Sequence, residues 1–267
     1  MTFLIIVFII LAALYMFVLI RPRLYADYDK RLDSDYAHRG LHGAGVPENS
    51  LAAFERAVAC GYGIELDVQL SRDGEVMVFH DYTLNRMTDR EGKLSDFSSD
   101  ELASMHLADT SETIPRLRDV LALVDGRVPL LIELKGESTD VSLCEPLCRL
   151  LSEYNGVFCI ESFNPILLGE MAKLMPHVYR GILYTNLCRE KKKYSLIDIA
   201  LTCMLTNIIA RPDFIAYDKK YRKSFALWLC TRLYHTSIYC WTVKSRTEWD
   251  IAKENKQFTI FENFQPK

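Results

Sequence analysis

The first 20 residues carry no charged side chain, and no lysine or arginine precedes the apolar run that fills them. A cleaved secretory leader needs a basic leading region and a small-residue cleavage site, and both are missing. Neither sign of charge dominates the whole chain. Its 32 basic and 35 acidic residues leave a net charge of -3, which excludes a basic nucleic-acid binder and a disordered polyelectrolyte. The eight cysteines include no C-x-x-C pair, so zinc and thioredoxin-like chemistry find no support. Reduced, buried thiols in a cytosolic domain fit their scatter better. No G-x-G-x-x-G follows the first candidate strand, which argues against the nucleotide-binding version of an open doubly wound sheet. Internal repeats and low-complexity tracts are absent too.

What is present divides in two. Residues 2–20 form an uncharged run dominated by Leu, Ile, Val and Phe. As a helix it would cross roughly 28 Å, the thickness of a bilayer core. Without this run the hydrophobic share falls from 49% to roughly 45%, ordinary for a soluble globular body. We therefore expect a single-pass transmembrane anchor at 1–20, a linker at 21–34 and a body at 35–267. Arg21, Arg23, Lys30 and Arg31 follow the anchor, and the positive-inside bias places the body in the cytoplasm.

Within the body, short apolar runs alternate with helical periodicity, the pattern of a parallel α/β fold. Candidate strands are 35–38, 63–70, 75–79, 129–133, 157–162, 178–183, 214–217, 238–241 and 258–261. Setting aside 75–79, which follows an Asp73-Gly74 hairpin turn, eight strands remain, the count of a (β/α)8 TIM barrel. Residues 51–60 read as a helix with Ser50 as N-cap and Gly61 as its stop. The polar stretch 81–113 breaks the rhythm and reads as an insertion. Residues 196–209 read as one apolar helix after the basic run 189–193. That pair suits either an anionic lipid surface or a solvated loop before an outer barrel helix.

Chemistry concentrates between residues 37 and 135. Glu65 and Asp67 stand two apart on an apolar strand, so both carboxylates share one face. Glu133 ends another apolar strand. Any one of these acids suits a rim salt bridge. Three at strand C-termini favour a hard divalent cation with oxygen ligands. His38 and His80 each end a strand, a pair suited to general acid–base work. Arg39 and Lys135 add positive charge for a phosphate.

These blocks together resemble the glycerophosphodiester phosphodiesterases. His38-Arg39-Gly40, Pro47-Glu48-Asn49-Ser50, Ile64-Glu65-Leu66-Asp67-Val68, His80-Asp81 and Arg86-Met87-Thr88 occur in that order. Ile132-Glu133-Leu134-Lys135, Ser162-Phe163-Asn164 and Trp241-Thr242 extend the likeness downstream. The resemblance implies a TIM barrel with a small insertion after the second strand. It also implies cleavage of a glycerophosphodiester to glycerol 3-phosphate and an alcohol, dependent on a divalent cation, Ca²⁺ or Mg²⁺. Glu65, Asp67 and Glu133 match its metal ligands, His38 and His80 its acid–base pair, and Arg39 and Lys135 its phosphate-binding positions. Glu48 and Asn49 match supporting groups. Trp241 reads as a pocket wall or a buried barrel residue, and His42 as a substrate contact or a bystander. Members often finish with a Thr-Asp-x-Pro block, where this chain has Phe261-Glu262-Asn263-Phe264, which weakens any role for the last strand. Two rival readings remain: a lysophospholipase D acting on lysophospholipids at the membrane, and a catalytically dead, membrane-tethered binding module.

Overall fold

The computed structural model describes residues 1–23, 28–136, 139–192 and 194–266. Residues 24–27 of the expected linker and Lys193 of the basic run lie outside the described residues. An apolar helix opens the chain: α1 (Thr2–Leu14) runs into a π-helical turn (Tyr15–Leu19) and ends at Ile20. The span Thr2–Leu19 is long and apolar enough to cross a bilayer.

The body then alternates strand and helix. Its first half comprises β1 (Asp35–Ala37), α2 (Leu51–Ala59), β2 (Gly63–Leu70), β3 (Val76–Val78), α3 (Ser99–Ala103), α4 (Leu117–Val124) and β4 (Leu130–Leu134). There follow α5 (Cys144–Glu153), β5 (Phe158–Ser162), α6 (Pro165–Leu174), β6 (Arg180–Tyr184), α7 (Leu187–Glu190), α8 (Leu196–Thr202) and α9 (Asn207–Ala210). The chain closes through β7 (Phe214–Asp218), α10 (Phe225–Tyr234), β8 (Ser237–Val243), α11 (Arg246–Glu254) and β9 (Phe258–Phe261).

Eight of the strands are parallel, and β1 pairs with both β9 and β2, which closes the sheet into a TIM barrel. β3 is the expected hairpin strand, antiparallel to β2. Strand bounds differ from the sequence reading by one or two residues, as frayed ends do. Alternation sorts the side chains: Ile64, Leu66 and Val68 join the layer under the helices, while Leu131, Cys159, Tyr179, Leu183, Phe214 and Tyr239 fill the barrel. Gly181 admits this filling, since a Cβ there would lie 2.0 Å from the Phe214 ring. The expected cap of α2 is formed, with Ser50 Oγ accepting from Ala53 N–H at 3.2 Å.

Residues 81–113 follow β3 and pack Leu84, Leu94, Leu102 and Leu107 around Met77 and Phe79, a small apolar cluster separate from the barrel. One element departs from the sequence reading. The single helix expected at 196–209 is two short helices, α8 and α9, because Met204 adopts a left-handed conformation (φ 55°). Leu201 and Ala200 carbonyls accept from the N–H groups of Met204 and Leu205, closing α8 before the chain turns.

Candidate active site

The acids converge as the strand alternation requires. In register, Asp67 lies beside Glu133, and Glu133 beside Glu161, across β2, β4 and β5. Glu65 stands one layer below Asp67 on the same face. One oxygen each from Glu65, Asp67 and Glu133 lie within 4.8 Å of one another, and all three residues are buried.

The β1–α2 turn supplies the next wall. Arg39 (φ 55°) and Gly40 (φ 80°) bend the chain sharply after β1, and a Cβ on Gly40 would lie 2.9 Å from Ala53 Cβ. This bend aims the Arg39 N–H at Glu65 Oε2, at 2.8 Å. The Arg39 guanidinium donates to Glu48 at 2.7 Å and lies 3.6 Å from Asp67. Glu48 also takes Arg86 at 2.6 Å, and Asn49 donates to Asp67 Oδ2 at 2.9 Å. Both supporting residues therefore hold the residues expected to work. Lys135 sits between Asp67 (3.0 Å) and Glu133 (2.8 Å).

The two histidines differ at Nδ1, where only His80 is within hydrogen-bond distance of a carboxylate. His80 contacts Asp81 at 2.6 Å, and His38 lies 3.7 Å from Glu262. His38 and His80 line one cavity of about 130 Å³ with Arg39, Lys135, Glu65 and Glu133. Trp241 lines it too, and its indole donates to the Ala216 carbonyl while its ring meets Phe163 edge-on at 5.8 Å. His42 approaches Glu262, at 3.4 Å.

Burial and crowding set the charges. Burial pulls both histidines below the ordinary imidazole value, with Glu262 opposing this at His38 and Asp67 at His80. Burial, then the neighbouring Asp67 and Glu133, push Glu65 well above the carboxylate range. Glu133 is pushed up to about 7 by burial, against the pull of Lys135. Asp67 goes the other way: despite its burial, Lys135, His80 and Arg39 hold it below the usual range. His38, His80, Arg39 and Lys135 thus surround an acid cluster whose desolvation the Lys135 ammonium and the Arg39 guanidinium only partly offset.

Two groups escaped the sequence reading. Glu161 is 1% exposed, lines the same cavity, and its Oε2 has no hydrogen-bond partner among the described residues. Its signal was available, an acid two positions after Cys159 on an apolar strand. Glu262 stands where the family likeness breaks off, yet it contacts His38 and His42 and is bound by Lys244 at 2.8 Å.

The cluster suits a divalent cation: buried hard-oxygen donors, an orphaned carboxylate oxygen, and acids that resist ionising without a counter-charge. Residues 38–257 match the glycerophosphoryl diester phosphodiesterase family. The chain belongs to this family of phosphoric diester hydrolases. A glycerophosphodiester phosphodiesterase of Caldanaerobacter subterraneus subsp. tengcongensis is 38% identical over 160 residues, 55% of this chain and 65% of its own. One from Bacillus altitudinis is 35% identical over 171 residues, 60% of this chain and 69% of its own. The matched stretch thus spans about two thirds of these relatives.

Among solved structures, an Oleispira antarctica phosphodiesterase in complex with sn-glycerol-3-phosphate superposes with a TM-score of 0.69. It is 21% identical, and the match covers 85% of this chain and 92% of that one. A Thermotoga maritima glycerophosphodiester phosphodiesterase gives 0.67 at 24% identity, covering 89% and 96%. At these identities the likeness establishes the shared barrel.

Proposed function

We propose that the protein hydrolyses glycerophosphodiesters to glycerol 3-phosphate and an alcohol, with His38 and His80 as the acid–base pair. The observation that carries this is the convergence of both histidines, Arg39 and Lys135 on the cavity of the acid cluster. Glu65, Asp67 and Glu133 would hold a divalent cation, Ca²⁺ or Mg²⁺, supplying Lewis-acid stabilisation of the phosphoryl oxygens. Glu161 is placed to join them. Arg39 and Lys135 neutralise charge on the non-bridging oxygens, and they are already positioned by Glu48, Asp67 and Glu133.

One histidine takes a proton from the attacking hydroxyl, of water or of the glycerol 2-position. That oxygen bonds to phosphorus as the bond to the departing alkoxide breaks, and the other histidine protonates the alkoxide; where the 2-hydroxyl attacks, the product is a cyclic phosphate that water then opens to glycerol 3-phosphate. Nδ1 of each ring faces a carboxylate, leaving Nε2 for the proton transfer. Trp241 and Phe163 form an apolar lip beside the charged centre, suited to the substrate's non-phosphate portion.

In the same reading, α1 anchors the enzyme in a membrane with the barrel in the cytoplasm. That anchor favours a second substrate class, lysophospholipids, cleaved by the same chemistry as a lysophospholipase D. Both histidines and all three acids are in place, which speaks against a dead binding module.

The test is purified full-length protein assayed on glycerophosphocholine and lysophosphatidylcholine, with and without chelator. We expect chelator-sensitive release of choline from at least one of them. His38→Ala and His80→Ala should each lower kcat by about 10²–10⁴-fold. Silence toward both substrates with metal supplied would sink the assignment, and the substrate ratio separates the two substrate classes.

A further inference from the structure

The end of the apolar helix is seated on the barrel. Ile20 is fully buried, and its carbonyl accepts from Asn207 Nδ2 at 3.1 Å, between α9 and α10. Tyr234 at the end of α10 donates to the Met16 carbonyl at 2.6 Å. Arg23 bonds to Val178, Pro212 and Asp213, which precede β6 and β7 at the base of the barrel. Eight residues earlier, Tyr15 lines a cavity of about 390 Å³ with Tyr184, Ser224 and Phe225. Tyr184 ends β6, and the other two open α10 directly after β7, so Tyr15 lies toward the C-terminal rim. Arg23 thus sits at the base, while the Tyr15 side chain reaches residues of the rim and the Met16 carbonyl meets the base end of α10. The apolar helix leaves the barrel from Tyr15, which adjoins the start of α10 at the rim.

The surface beside that exit is unusual for a soluble barrel. Tyr194, Leu196 and Ile197 at the start of α8 are 74%, 87% and 72% exposed. Phe225 and Trp228 at the start of α10 are 65% and 52% exposed, with their rings stacked at 5.9 Å. Both helices begin at the rim. The loops leading into them carry Arg189, Lys191 and Lys192, then Lys220, Arg222 and Lys223. Aromatic and aliphatic side chains interleaved with cations fit the boundary between acyl chains and anionic headgroups.

We propose that this rim, α7 and α8 with the start of α10, lies on the surface of an anionic phospholipid bilayer, the one that holds α1. The catalytic mouth then opens toward the lipid rather than the aqueous bulk. The proposal rests on the membrane-anchor reading of α1 and is independent of the substrate. It goes beyond tethering, because a tether alone leaves the barrel free to turn.

The test reconstitutes the full chain into phosphatidylcholine–phosphatidylglycerol vesicles whose acyl chains are brominated, a short-range quencher of tryptophan emission. We expect quenching of the wild type and loss of most of it in Trp228→Phe. Backbone amides of 194–199 and 225–229 should exchange more slowly in vesicles than in detergent. Phe225→Ser should leave turnover of a water-soluble glycerophosphodiester unchanged, since Phe225 lines no part of the catalytic cavity. A chain that floats with the vesicles but whose Trp228 is not quenched, with exchange at those amides unchanged, overturns the docking surface and leaves the anchor standing. A chain that fails to float overturns both.

Discussion

At the scale of single residues, protonation follows crowding. Glu65, Glu133 and Glu161 all have their carboxyls pushed up, chiefly by burial and then by one another, with Lys135 pulling Glu133 back down to about 7. A carboxyl whose folded pKa is raised contributes stability at low pH that is lost as pH rises through the folded value. For Glu133 that loss runs from the ordinary carboxylate value up to about 7. A divalent cation needs the ionised carboxylates, so its binding competes with protons and its stabilisation grows with pH. The metal-stripped protein should therefore gain more melting temperature from added Mg²⁺ or Ca²⁺ at about pH 8 than at about pH 5. Scanning calorimetry at both pH values checks this, and an equal gain at both would remove the acid cluster from the binding. Glu65, Asp67 and Glu133 were legible as strand-end acids. Glu161 shows the same alternation on β5, beside the Ser162-Phe163-Asn164 block.

At the scale of elements, close packing decides what composition leaves open. β6 approaches β7 closely because Gly181 has no side chain where the Phe214 ring lies. Gly181→Ala forces that ring aside and should cost about 1–3 kcal/mol by overpacking. Urea unfolding measures it, and Phe214→Leu in the same chain should recover part of the loss. A wild-type midpoint in Gly181→Ala would show that the ring moves freely. The helix expected over 196–209 failed at this scale for a comparable reason. The stretch is largely apolar and holds no glycine or proline, so nothing in composition marks Met204 for a left-handed turn. The turn follows from where α9 must sit, with Ile209 packed on Gly169 of α6 and Asn207 beneath Ile20.

At the scale of the whole molecule, the N-terminal run is two devices in one. Residues 2–11 stand largely exposed, whereas Tyr15, Met16 and Ile20 pack against the barrel's outer core. A chain lacking residues 1–14 should keep its melting temperature in detergent. One lacking 1–20 should lose the burial of Ile20, worth about 1.5–3 kcal/mol, together with the packing of Tyr15 and Met16, and strand Asn207 without its acceptor. Equal melting temperatures would show that the seat adds nothing. The sequence by itself determined the strand count, the face each acid takes and the apolar span. These depend on periodicity and side-chain chemistry, which are local. Only the tertiary structure decided that Glu161 stands beside Glu133, that Glu262 stands beside His38, and that the end of the apolar helix docks on α9 and α10. Those facts depend on strand register, barrel closure and the docking of residues about 190 positions apart, which no local pattern records.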